Sequence, residues 1–335
     1  MKRRWRRVWI LLTLAALLLA SCGRAAAPAV KSDVVQTLRF GYLANLTHAQ
    51  ALLGLADGSF AKATGLKIVP KIFAAGPEAI TALLAGEVDV LYVGPSPAVN
   101  GYIKSGGKAL RIVAGAASGG AVFVVRPTLD PAHLAGTRLG TPGLGNTQDV
   151  ALRWYLNSKG LKPREQGGTV QIVPTAPADI LTLFGQKQLD GAWVAEPWGA
   201  RLVHEAGAKV AWDERDLWPD RRFATTVLAV STPFLEQHRD EVKRLVAQHV
   251  ELTRWIQAYP DEARAKLQTA LTKLQAHALP DAVLTEAFSR IDFVYDPMQG
   301  SVQEQADRAN TLGLLRDKPN LSGLYDLSLL KEVAP

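Results

Sequence analysis

Four short stretches rich in glycine, serine, threonine and asparagine each run into a helical pattern: ANLTHA at 44–49, GPSPAVN at 94–100, GLGNTQD at 143–149 and AEPWGA at 195–200. The start of a helix leaves backbone N–H groups without intrahelical partners and carries partial positive charge. Small residues let that backbone come close to a ligand. Several such ends facing one crevice make a seat for a compact anion without an arginine. The hydroxyls of Thr47, Ser96 and Thr147 are then ligand contacts, or else only helix caps. Each exposed helix end contributes about 0.3–1 kcal/mol towards an anion, whereas micromolar binding needs about 8 kcal/mol. Direct hydrogen bonds and apolar burial must therefore contribute most of the affinity. Trp193 and Trp198, beside the fourth loop, are candidates for an apolar wall or for core. Glu196 is a partner for a ligand amine or for a neighbouring basic residue.

Other chemistries lack their residues. The six histidines, at 48, 133, 204, 238, 249 and 277, show no HExxH spacing, so no metal site is expected. GLGNTQ begins like a dinucleotide fingerprint but has no third glycine, and no Walker loop occurs. GPSPA resembles a nucleophile elbow with Ala98 in place of the second glycine. Asp213 and Glu214 read as a solvated turn rather than a catalytic dyad. No cofactor and no catalytic residue is expected.

The elements that position the four loops come from an internal repeat. Lys71–Ile103 matches Gln171–Val203, with Ile72 opposite Ile172, Pro77 opposite Pro177 and Ile80 opposite Ile180. Upstream, Leu38–Ala56 parallels Thr137–Leu156. Each copy reads as strand, loop, helix, strand, proline-started helix, strand, then a proline-containing loop. Such β-α-β units form parallel sheets with helices on both faces, and their strand ends line a crevice. Two copies predict an α/β fold of two facing lobes; the alternative is one continuous doubly wound sheet. Gly119–Arg126 and Ala224–Ser231 read as two crossings that form a hinge. Amphipathic spacing after Pro233, at Val242, Leu245, Val246, His249, Leu252, Trp255 and Ile256, predicts a helical tail packed on the first lobe.

The first residues concern address rather than fold. MKRRWRR carries five positive charges, and 8–20 is apolar except for Thr13. That run is shorter than the about 20 residues a membrane-crossing helix needs, so it reads as a secretory signal. It ends at Cys22, the chain's one cysteine. Five of the formal +7 charges lie in residues 1–21, leaving +2 for the rest. Nucleic-acid binding thereby loses its electrostatic basis.

Leu19-Ala20-Ser21-Cys22 resembles the lipobox of bacterial lipoproteins, which implies lipidation of Cys22, cleavage before it, and attachment to a membrane at the periplasmic or cell-surface side. GYLANLTHAQALLG, ALLAGEVDVLYVGPSPAVNGY, GTPGLGNTQDVALRWYL and DGAWVAEPWGARL together resemble the nitrate/sulfonate/taurine group of bacterial ABC-transporter substrate-binding proteins, over about residues 36 to 315. The resemblance implies a type II periplasmic-binding-protein fold, with a signal peptide at 1–21, a tether at 22–36, one lobe from 37–122 plus 227–335, and the other from 123–226. It implies a monomer, not an enzyme, that captures a small oxyanion such as an aliphatic sulfonate, taurine or nitrate. The loaded protein would dock on a membrane permease driven by a cytoplasmic ATPase. Carried over by position, the ligand residues are Asn45, Thr47, His48, Ser96, Asn146, Thr147, Gln148, Trp193 and Glu196. A thiamine-pyrimidine precursor and an aromatic carboxylate are alternative ligands. A thiamine-pyrimidine synthase-like enzyme is disfavoured because its cysteine-rich iron motif is missing.

Overall fold

The computed structural model describes residues 36–275, 278–316 and 318–335. The expected signal peptide, Cys22 and His277 lie outside the described residues.

Both copies of the repeat fold into the same unit. In the first, β1 (Thr37–Tyr42) leads through α1 (Ala49–Ala56) and α2 (Ser59–Thr64) to β2 (Lys67–Ile72). Then come α3 (Gly76–Leu84), β3 (Val90–Val93) and α4 (Pro95–Lys104). β4 (Leu110–Gly119) ends this copy, and β5 (Ala121–Val125) opens the next. The second copy runs β6 (Arg138–Thr141), α5 (Thr147–Ser158), β7 (Gln171–Pro174), α6 (Pro177–Gly185), β8 (Gly191–Ala195), α7 (Trp198–Ala206) and β9 (Lys209–Asp213). β10 (Ala224–Ser231) is followed by α8 (Thr232–Gln237), α9 (Arg239–Ala258), α10 (Pro260–Gln275), α11 (Asp281–Ser289), β11 (Ile291–Phe293), α12 (Gln299–Thr311) and α13 (Ser328–Val333). Prolines stand in the first turns of α3, α4 and α6, where a missing N–H costs nothing.

The described residues form two sheets, so the continuous-sheet alternative does not hold. The larger has the order β11-β4-β10-β3-β1-β2 and the smaller β7-β6-β8-β5-β9. The repeat is visible in the pairing: β1 lies parallel between β2 and β3, and β6 lies parallel between β7 and β8. In each sheet the next strand, β10 or β5, is antiparallel and arrives from the other half of the chain. The passages between sheets lie beside the segments that the sequence reading has as crossings, not along them. β10 lies wholly within the larger sheet and β5 wholly within the smaller. The chain crosses at Gly119–Gly120, both with left-handed φ (71° and 68°), and again over 214–223. β5 and β10 are buried along their whole lengths, so an apolar run alone did not say where the sheets divide.

Helices cover both faces of each sheet. Leu38, Phe40 and Tyr92 of the larger sheet pack under Val242, Leu245 and Val246 of α9, and Leu91, Val93 and Ile112 pack on the opposite face with Val302 of α12. His249 of α9 is fully buried. Its Nδ1 accepts from the Tyr92 hydroxyl (2.6 Å), and its Nε2–H donates to the Gly115 carbonyl (2.8 Å). Burial lowers its pKa to about 4, so it is a neutral core group.

Gly115 marks the tightest backbone approach in this core. A Cβ there would lie 2.0 Å from the Asp296 carbonyl oxygen, and the Gly115 N–H already donates to Tyr295 O (2.8 Å). Backbone cannot swing aside as a side chain can. Gly115→Ala is expected to lower unfolding free energy by about 3 kcal/mol, read from urea denaturation; a loss under 1 kcal/mol would show that 295–297 yields.

Candidate functional site between the two sheets

The four loops meet where the parallel strands of the two sheets end. A 3₁₀ turn at Leu46–His48 follows β1, Gly94 links β3 to α4, 142–146 links β6 to α5, and Glu196–Pro197 links β8 to α7. The sheets are closed on one another. Leu46 N–H donates to Glu196 O (3.1 Å), and Trp198 Nε1–H donates to Asn45 Oδ1 (3.0 Å). A Cβ on Gly94 would lie 2.4 Å from Thr147 Oγ1 across the gap, so glycine is required for this approach.

Between the loops is a polar chamber of about 20 Å³, room for one water-sized group. Asn45, Thr47, His48, Asn146 and Gln148 line it, as do Thr225, Thr226 and Trp198. A wider cavity of about 580 Å³ opens beside it. Among the described residues, no charged side chain lines the chamber. Leu43 N–H donates to His48 Nδ1 (3.3 Å), which fixes the Nε2–H tautomer, and burial lowers the pKa of His48 to about 3. Asn146 Oδ1 caps α5 by accepting from Thr147 N–H (2.7 Å), leaving its NH₂ available. The Thr225 hydroxyl donates to the Gly119 carbonyl at the first crossing. At the crevice, the buried hydroxyls of Thr226 in the chamber and of Ser96 and Thr147 beside it have no hydrogen-bond partner among the described residues. Each such group costs about 1–3 kcal/mol when left unpaired. A ligand rich in acceptor oxygens offsets that cost.

Seven of the nine residues carried over by position are brought together. Asn45, Thr47, His48, Asn146 and Gln148 line the chamber, and Ser96 and Thr147 are buried next to it with Thr147 facing Gly94. Trp193 is not there. It stacks on Phe123 (5.3 Å) in the core of the smaller sheet and donates to Glu214 Oε2 (2.7 Å). Glu196 is fully buried and takes the second of its two roles, with Oε1 bound to Arg290 Nη1 (2.6 Å) and Oε2 to Ala200 N–H (2.9 Å). Thr225 and Thr226 were missed. The adjacent threonines of ATTVLAVS sit where an otherwise apolar strand reaches the crevice, and that break in the pattern was the available signal.

Asp213 and Glu214 correct the solvated-turn reading. Asp213 pairs with Arg215 (2.7 Å), but Glu214 is only 2% exposed. Two indoles hold it, Trp193 (2.7 Å) and Trp218 (3.2 Å). Trp218 stands four positions after Glu214, but Trp193, 21 positions before it, is brought there only by the fold.

The profile of the NMT1-like family matches residues 32–272. A binding protein of Brucella abortus is 27% identical over 229 residues, 68% of this chain and 69% of that one. The taurine-binding periplasmic protein of Escherichia coli is 27% identical over 212 residues, 63% of this chain and 64% of that one. Two solved structures share the fold. The alkanesulfonate-binding protein SsuA of Xanthomonas axonopodis, bound to MOPS, has TM-score 0.72 and 19% identity, covering 87% of this chain and 98% of that one. The periplasmic nitrate-binding protein NrtA of Synechocystis has TM-score 0.77 and 16% identity, covering 90% and 89%. The two-sheet architecture is thus the periplasmic-binding-protein fold.

Glu214 gives the smaller sheet's core, not the chamber, a pH signature. Burial pushes its carboxyl up to about 7, against the pull of its indole donors. The folded state therefore holds a proton that the unfolded chain releases near pH 4.5. Stability from this group is present below about pH 4.5 and is lost as pH rises to about 7, by about 3 kcal/mol. His48 and His249 act in the opposite direction, losing stability as pH falls below 6.5. The stability difference between the wild type and Glu214→Gln, followed from pH 4.5 to 7.5, isolates the carboxyl and should shrink by about 3 kcal/mol. A difference that does not change with pH contradicts this reading.

Proposed function

The chain belongs to the NMT1-like family, and from that premise we propose that it is the extracytoplasmic solute-binding protein of an ABC importer, capturing a small oxyanion between its two lobes. The observation that carries this reading is the chamber itself. It collects neutral donors from both sheets and keeps buried hydroxyls without partners, in a space of about 20 Å³. Oxyanions present only acceptors, and a dipolar seat in a low-dielectric site holds them without a cation. The Escherichia coli relative binds taurine, and the structural neighbours are named for alkanesulfonate and nitrate. These relatives are binding proteins rather than enzymes, and the chamber pairs no nucleophile with a base.

The closed chamber admits only a water-sized group, so loading requires the sheets to part. The hinge is at Gly119–Gly120 and 214–223. Closure on the ligand brings contacts from both sheets together, which is how binding shifts such an equilibrium. The closed form then meets a membrane permease driven by a cytoplasmic ATPase. A lipid on Cys22 would keep the protein, as a monomer, at the membrane that holds its permease.

Two experiments test this. Asn146→Asp preserves the cap on α5 but sets a carboxylate in the chamber. Calorimetry with ethanesulfonate should show affinity reduced at least 10-fold with the ligand-free Tm held; unchanged affinity would place the anion elsewhere. Cys22→Ser removes the thiol that receives the lipid. The variant should lose membrane partitioning and the lipid mass, whereas persistent lipid by mass spectrometry contradicts the anchor.

A further inference from the structure

We propose that Trp198 is a positioning residue that fixes the polarity of the chamber, so that the chamber selects an oxyanion carrying no proton. This rests on the oxyanion reading and adds to it a residue and a selectivity. An asparagine or a neutral histidine can either donate or accept. Which of these it offers a ligand depends on what its other atoms already bind.

Asn45, Asn146 and His48 all line the chamber. In each, the acceptor atom is taken by a group that can only donate. Trp198 Nε1–H holds Asn45 Oδ1 (3.0 Å), Thr147 N–H holds Asn146 Oδ1 (2.7 Å), and Leu43 N–H holds His48 Nδ1 (3.3 Å). Indole and backbone N–H groups have no acceptor role, so none of the three side chains can reverse without losing a bond. What they keep for a ligand is two NH₂ groups and one Nε2–H. A ligand oxygen with free lone pairs is served by all three. An oxygen that carries a proton meets donors there, and its proton stays unpaired.

Of the three bonds, only the one to Asn45 crosses between lobes. The other two are local, one and five positions apart in sequence. Asn45 stands just before the 3₁₀ turn, where its oxygen could cap as that of Asn146 does on α5, yet its side chain makes no cap bond. The oxygen goes to Trp198, 153 positions on, instead. That bond joins the lobes and so forms only on closure, which completes the polarity of the seat. The indole is itself held. The Arg201 guanidinium lies over its ring at 4.7 Å and is fixed by Glu205 (2.9 and 3.0 Å).

The test is calorimetry on the full chain carrying Cys22→Ser, with ethanesulfonate and ethylphosphonate. At about pH 5 both are monoanions of similar shape, and they differ by the proton that the phosphonate keeps. His48, whose pKa burial lowers to about 3, is neutral there. The protein with Trp198 intact should bind ethanesulfonate at least about 10-fold more tightly than ethylphosphonate. Trp198→Phe keeps a ring under Arg201 but has no N–H, so the Asn45 amide can turn. It should weaken ethanesulfonate about 10-fold and shrink the preference to about 3-fold or less. With Asn45→Ala already in place, Trp198→Phe should change ethanesulfonate affinity by less than about 2-fold, because the indole acts through the amide. A residue that served only as a wall would cost the same in both backgrounds. Arg201→Gln, which loosens the indole, should move the same quantities in the same direction if Trp198→Phe fails to fold. An equal loss with and without Asn45, or no preference for ethanesulfonate over ethylphosphonate, overturns this inference and leaves the oxyanion reading intact. Failure of ethanesulfonate, nitrate and ethylphosphonate alike to bind removes both.

Discussion

Glu196 is the residue on which the closed arrangement hangs. Its carboxylate is fully buried between Arg290 and the Ala200 N–H. Its backbone N–H donates to Gly120 O (2.8 Å) at the first crossing, and its carbonyl accepts from Leu46 N–H (3.1 Å). Gly120 N–H in turn donates to Arg290 O (2.8 Å). One residue of the smaller sheet thus holds the hinge, the end of α11 and the loop that carries Asn45, Thr47 and His48. Burial pushes the Glu196 carboxyl up, and Arg290 opposes that shift. A buried ion pair offsets its desolvation only with good geometry and further hydrogen bonds, and here each carboxylate oxygen has a donor, Arg290 on Oε1 and the Ala200 N–H on Oε2. Arg290 also pairs with Glu286, which reaches His204 of α7, so the link between lobes continues along the surface.

On the proposed reading, the chamber that this knot frames holds its ligand by dipoles. Hydroxyls, amides and a neutral imidazole are weak partners for an anion in water, where they must compete with solvent. They become strong ones only when closure removes that water. Affinity is therefore tied to the closed state, and parting the sheets returns water to the seat. A fixed cation would keep much of its attraction after opening. The neutral lining suits a protein whose task, on the reading above, includes letting its solute go.

Much of this was legible in the sequence. The repeat pairs Lys71–Ile103 with Gln171–Val203, and Leu38–Ala56 with Thr137–Leu156, and so predicted two similar β-α-β units with equivalent strand-end loops. The loops at the strand ends followed, and with them Asn45, Thr47, His48, Asn146 and Gln148. What failed were side chains whose surroundings are set by residues far away in the chain. Trp193 faces Phe123 and Glu214 rather than the crevice, because strand alternation points it into the core. Glu196 needed Arg290, 94 positions on, to declare its role. Glu214 reads as surface until Trp193 and Trp218 are placed around it. Thr225 and Thr226 reach the chamber only because β10 returns from the second crossing into the centre of the larger sheet.

A crystal structure of the complex with ethanesulfonate tests the central claim most directly. The account predicts a sulfonate oxygen within hydrogen-bond distance of Thr226 and the Asn146 amide. A sulfonate bound outside the crevice contradicts it.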